Sequence, residues 1–232
     1  MLSVELIIVL IPFIAALIIF SLVAYRIFHL KNEQFYFLVF DKLSLLVTLF
    51  TTSFMQFITI CGSHYFLIPA NLLLIIYFLF IKKHRWYSIK VPMIAIGGLL
   101  LMFLLKQFFR SPRPLTPLLE PVSGLIFPSG HSLMSVTFYG LLIFLAWENI
   151  TDRVWKWLLI SLLIVLIILI GFSRIYLRLY YFSDVIAGFS AGIIWLTLSI
   201  RAIRRIEHYS RKEIDPAITE NQFSLNPDKN QL

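Results

Sequence analysis

The sequence has a single cysteine, Cys61. That excludes an intrachain disulfide and any metal site built on cysteines. Charge is scarce as well: Asp, Glu, Lys and Arg make up 14% of the residues, against about 25% in soluble domains. No low-complexity tract and no repeat of helix pairs interrupts the chain, which reads as one domain. The amino terminus lacks the basic stretch and the small-x-small cleavage site of a secretory leader. Its apolar run, Val4 to Tyr25, carries Glu5 and reads as a retained helix. The 20 basic residues, against 12 acidic ones, are not gathered into a soluble basic domain, so a nucleic-acid partner is not expected.

Apolar residues fill the chain instead. They make up 59% of it, with 22 Phe, where soluble proteins hold roughly 45–50%. Apolar stretches of bilayer length recur, as in an integral membrane protein. The expected crossings are 4–25, 66–81, 91–109, 131–148, 157–172 and 184–200. The segment 40–61 opens on Asp41 and Lys42 and is peppered with Thr48, Thr51, Thr52, Ser53, Gln56 and Thr59. It suits a helix lying at the membrane interface. The expected fold is an all-α integral membrane bundle of six transmembrane helices plus an interfacial helix, with seven crossings as the alternative.

The densest cation clusters, "KKHRWYSIK" (82–90) and "RAIRRIEHYSRK" (201–212), mark the cytoplasmic side. The connection 149–156 falls on that side by parity, and 110–130 and 173–183 face away. The polar stretch beyond Ile214 reads as a disordered tail. Three units follow: 1–40, the first helix and a connection; 41–200, the membrane domain; and 201–232, a basic and then disordered cytoplasmic tail.

Three polar clusters fall on the non-cytoplasmic face. In "KQFFRSPRP", Lys106 closes an apolar helix, and Arg110 and Arg113 follow. Taken alone these are ordinary snorkelling cations. In "FPSGHS", Gly130 permits a tight turn and His131 opens the next helix. The amides of such a helix start attract anions, and a histidine there exchanges protons near neutral pH. In "SRIYLRLYYFSDVIAG", Arg174 ends one helix and Asp184 begins another. Tyr180 and Asp184 share a face if that second helix starts early enough. The same stretch also reads as an interfacial aromatic belt. Together the clusters place Lys106, Arg113 and Arg174 beside a helix start and a histidine. Such a site suits a di- or trianionic group, and its opening beside the bilayer suits a lipid.

The motifs K-x6-R-P (Lys106 to Pro114), P-S-G-H (Pro128 to His131) and S-R-x5-Y-x3-D (Ser173 to Asp184) resemble, in order and spacing, those of the type-2 phosphatidic acid phosphatase superfamily. That superfamily includes membrane lipid phosphatases and soluble vanadium haloperoxidases, and the resemblance runs from about residue 40 to 200. It implies a six-helix core that removes phosphate without a metal or other cofactor, on the periplasmic or luminal face. By the same resemblance, Lys106, Arg113 and Arg174 grip the phosphate oxygens, and Ser129 and Gly130 add hydrogen-bond donors. His131 protonates the leaving group. The family's third-motif histidine attacks phosphorus, oriented by the aspartate that matches Asp184.

Here the attacking position is Tyr180. A neutral phenol, with an ordinary pKa of ~10, is a weak nucleophile at pH 7. Two routes stay open: Tyr180 as nucleophile with Asp184 taking its proton, or His131 as base for direct attack by water. His84 and His208 lie on the cytoplasmic side, and His29 and His64 in connections outside the motifs. Of these, only His64 falls near the face of the site.

The implied activity is hydrolysis of a lipid phosphomonoester or prenyl diphosphate, such as undecaprenyl diphosphate, phosphatidylglycerol phosphate or a lipid A phosphate. The alternatives are a lipid phosphotransferase and a non-catalytic phospholipid-binding relative. The expected setting is the inner membrane, multi-pass, with a periplasmic active face, a cytoplasmic C-terminal tail and the bilayer as partner. The sequence sets no oligomeric state.

Overall fold

The computed structural model describes residues 4–29, 33–81, 85–109, 125 and 127–224. In these residues eight α-helices follow one another: α1 Val4–His29, α2 Glu33–Ser44, α3 Leu49–Cys61, α4 His64–Ile76, α5 Arg85–Phe109, α6 Gly130–Asn149, α7 Arg153–Tyr176 and α8 Phe182–Ser224. A π-helical turn, Tyr77–Ile81, extends α4. Among the described residues there is no strand.

Among the described residues, six helices are long and apolar enough to cross a membrane: Val9–Arg26, His64–Ile81, Ile89–Phe109, Gly130–Asn149, Arg153–Tyr176 and Phe182–Glu207. They coincide with the six expected crossings. At 13 residues, α3 rises only ~20 Å, short of a hydrocarbon core of ~30 Å. Among the described residues the arrangement is therefore six crossings with α2 and α3 as short additional helices.

Helix α6 lies at the centre, packed against α5, α7 and α8, while α1 runs along α8. A buried helix must satisfy its own polar side chains, and α6 does so locally. Ser135 Oγ donates to the Ser132 carbonyl at 2.9 Å and Thr137 Oγ1 to that of Leu133 at 2.9 Å. Leu133, Leu141 and Tyr139 join the core from the same helix, while Leu100 of α5 and Leu162 of α7 point outward, more than half exposed. That outward greasiness is the face a bilayer covers.

The structure departs from the sequence reading in two places. The segment 40–61 is interrupted: α2 ends at Ser44, and α3 restarts behind a capping box in which Thr48 and Thr51 bond each other's backbone amides. The last helix does not stop near 200 but continues to Ser224, through residues read as an unstructured tail. Its extension is tied at the end of the bundle away from the polar clusters. Lys90 pairs with Glu207 at 2.9 Å, and Arg204 pairs with Glu148. Tyr87 Oη donates to Glu148 at 2.8 Å. Burial, and then the Glu148 carboxylate, push that phenol up to about 12, so it stays a donor at physiological pH.

Candidate active site

The site begins with a turn. Ser129 caps α6 in an extended conformation, and its Oγ accepts from the Ser132 amide at 3.4 Å and the Ser132 hydroxyl at 2.9 Å. The Ser129 amide donates to the Asp184 carbonyl at 3.0 Å, so the starts of α6 and α8 are stitched together. The contact requires glycine at 188. A Cβ there would stand 2.6 Å from the Ser129 carbonyl oxygen and 2.8 Å from Ser132 Cβ. The Gly130 and His131 amides belong to the first turn of α6, which a helix leaves without internal partners. The positive end of the helix dipole lies behind them.

The starts of α8 and α6 serve different ends. Asp184, 1% exposed, accepts the Tyr181 amide on Oδ2 at 2.8 Å. Tyr181 directly precedes α8 and Asp184 is its third residue, so the carboxylate acts as half a capping box. Because α8 starts at Phe182, Tyr180 does not share a helical face with Asp184; it lies in the turn before the helix. That turn folds back on α7: the Leu179 and Tyr180 amides donate to the Arg174 carbonyl at 3.1 and 3.3 Å, and Arg178 adopts φ 52°.

The fold-back buries Tyr180 among cations. Arg174 Cζ stands 5.2 Å and Lys106 Nζ 5.7 Å from its ring centroid, within the range of cation–π attraction. Arg174, itself buried, donates from Nη1 to Thr59 Oγ1 of α3 at 2.8 Å. Lys106 Nζ donates to the Leu125 carbonyl at 2.6 Å.

Below this cluster a cavity of about 420 Å3 runs between α4 and α5. Its walls are apolar, with Leu67, Ile68 and Leu72 on one side and Ile96, Leu99 and Met102 on the other. Its polar end is formed by His64, Lys106, Gly130, His131 and Tyr180. Gly62 brings the α3–α4 turn against that end: a Cβ there would stand 2.5 Å from Ile170 Cγ2 and 3.4 Å from His131 Cδ2.

Four of the sequence-derived site residues thus share one cavity: Lys106, Gly130, His131 and Tyr180. Arg174 joins them against the Tyr180 ring. Ser129 and Asp184 sit behind, fully buried, where they hold the two helix starts. Arg113 lies outside the described residues. Sequence reasoning missed Thr59 as the anchor of Arg174, and it left His64 outside the motifs although the side chain lines the cavity. A signal for Thr59 did exist. Thr52 and Thr59 are two helical turns apart on one face, and both bond α7, Thr52 to Tyr176 Oη at 3.1 Å and Thr59 to Arg174.

Comparison with known proteins agrees with this architecture. The model of the PAP2 superfamily matches residues 86–207. Phosphatidylglycerophosphatase B of Bacillus subtilis (strain 168) is 26% identical over 156 residues, covering 67% of this chain and 76% of that protein. The crystal structure of a transmembrane PAP2-type phosphatidylglycerolphosphate phosphatase from Bacillus subtilis superposes with a TM-score of 0.76 at 22% identity, over 84% of this chain and 97% of the other. That of LpxE from Aquifex aeolicus gives 0.57 at 26% identity, over 73% and 94%. The solved relatives share the helical membrane fold, and the matched span takes in more than half of the chain and all three motifs: this protein belongs to the PAP2 superfamily.

Proposed function

We propose that the protein hydrolyses a lipid phosphate on the extracytoplasmic face of the membrane, with phosphatidylglycerol phosphate as the first substrate to test. One observation carries the reading: the apolar cavity between α4 and α5 ends on Lys106, Gly130 and His131. A lipid entering from the bilayer would lay its chain along the apolar walls and present its phosphate to the cations and the first-turn amides of α6. Lys106 and Arg174 would neutralise the phosphate oxygens. His131 would deliver a proton to the leaving oxygen. The 26% identity to a phosphatidylglycerophosphatase supports the choice of head group. Prenyl diphosphates, undecaprenyl diphosphate among them, and lipid A phosphates fit the same chemistry. The choice of the outer face is supported by the basic segments 82–90 and 201–212, which the positive-inside rule assigns to the cytoplasm; Lys90 and Arg204, from those segments, pair with Glu207 and Glu148 at the end of the bundle away from the cavity's polar end.

The test is phosphate release by the purified full chain in lipid nanodiscs, on phosphatidylglycerol phosphate, phosphatidic acid and undecaprenyl diphosphate. Turnover by the wild type, reduced ~10²–10⁴-fold in His131→Ala with lipid binding retained, is expected of a general acid. Saturable lipid binding with no phosphate released from any of the three would make the protein a phospholipid binder. Transfer of the phosphoryl group to a second lipid in preference to water would make it a phosphotransferase.

A further inference from the structure

The geometry points to His64 as a second catalytic imidazole of this site, one that attacks phosphorus from the α4 side of the cavity. The inference rests on the hydrolase reading above. Cleaving a phosphate ester requires a proton donor at the leaving oxygen and a nucleophile on the other side of phosphorus. Among the described residues, the groups on the cavity wall able to take part are His64, Lys106, His131 and Tyr180. Lys106 is a cation whose Nζ donates to the Leu125 carbonyl at 2.6 Å. Tyr180 is buried, with its ring facing Lys106 and Arg174. The two imidazoles remain. His131 opens α6 and His64 opens α4, so they approach the polar end on separate helices. His64 is exposed to the cavity, with its ring set against that of Tyr65 at a centroid distance of 4.0 Å. Gly62, two residues earlier, packs against His131, which draws the start of α4 to the imidazole that would serve as acid.

In the first step a neutral His64 nitrogen forms a bond to phosphorus as the bond from phosphorus to the lipid oxygen breaks. The electron pair leaves with that oxygen, which takes a proton from the His131 imidazolium. The lipid alcohol departs, or the lipid monophosphate if the substrate is a diphosphate. In the second step water attacks phosphorus, His131 accepts its proton, and the electrons of the nitrogen–phosphorus bond return to His64. The sum is ester plus water to alcohol plus inorganic phosphate.

The experiment uses the full chain in nanodiscs with phosphatidylglycerol phosphate labelled with 32P in its terminal phosphate. Turnover is stopped in alkali, and the labelled protein is mapped by mass spectrometry. The expected result is an acid-labile, alkali-stable phosphoryl group on His64. It is absent from His64→Gln, whose phosphate release falls ~10²-fold or more while its affinity for the lipid stays within about threefold of wild type. Three results overturn the assignment: label on His131, acid-stable label on Tyr180, or normal phosphate release by His64→Gln. If the wild type binds the lipid and releases no phosphate, the hydrolase reading fails and this one fails with it. If turnover persists without His64, only the present inference fails.

Discussion

Tyr180 stands where the resemblance places an attacking imidazole, yet its surroundings give it a different task. With Arg174 Cζ at 5.2 Å and Lys106 Nζ at 5.7 Å from its ring, the π-face holds together two like charges that would otherwise repel. Each such contact is worth ~0.5–1 kcal/mol or more once desolvated. The ring, more than the hydroxyl, should therefore keep the two cations paired for a dianionic phosphate. Tyr180→Phe is expected to bind lipid phosphate within about threefold of wild type. Tyr180→Leu should lose about tenfold, the equivalent of ~1.4 kcal/mol. Binding isotherms of the two variants for phosphatidylglycerol phosphate decide the matter, and equal losses in both would assign the role to the hydroxyl. The sequence made Lys106, His131 and Arg174 legible because charged and titratable side chains at the ends of apolar helices stand out against their background. For Thr59 the only signal was its helical spacing from Thr52, which marks a polar face without naming its partner, because Arg174 lies 115 residues away along the chain.

At the scale of elements, the site depends on how closely α8 approaches the turn that starts α6. The Ser129 amide bonds the Asp184 carbonyl, and Gly188 lies one turn further along α8, facing the Ser129 carbonyl. A methyl group at 188 would meet backbone, which cannot rotate away. Gly188→Ala should therefore push α8 off the turn and cost ~1–3 kcal/mol, the usual cost of overpacking. A lowered thermal midpoint together with reduced lipid-phosphate binding is expected. An unchanged midpoint would mean that the helix starts are not tightly seated. The six crossings were legible because hydrocarbon demands a long apolar run whatever its neighbours. The short helices obey weaker rules. The break between α2 and α3 depends on a reciprocal cap at Thr48 and Thr51. Past residue 200, α8 is held to α5 and α6 by ion pairs at Glu207 and Arg204, and hydropathy reads neither signal.

For the whole molecule, polarity is divided between the two ends of the bundle. One end carries the cavity's polar groups, and the other carries the ion pairs Lys90–Glu207 and Arg204–Glu148. Lys90 and Arg204 of these pairs come from the basic segments 82–90 and 201–212 of the sequence. The positive-inside rule assigns such an end to the cytoplasm, so the phosphate group of a substrate would have to be presented outside. Two exposed positions test this. Leu49, 92% exposed, opens α3 beside Thr51, which bonds Tyr176 at the cavity end of α7. Val154, 75% exposed, lies in the first turn of α7 at the opposite end. With the lone cysteine changed by Cys61→Ser, Leu49→Cys and Val154→Cys each carry one reactive thiol. A membrane-impermeant maleimide applied to intact cells should label the Leu49→Cys protein and leave the Val154→Cys protein unlabelled, whereas inside-out vesicles should reverse the pattern. The opposite result would put the cavity on the cytoplasmic side, and the basic segments would then face outward, against the positive-inside rule.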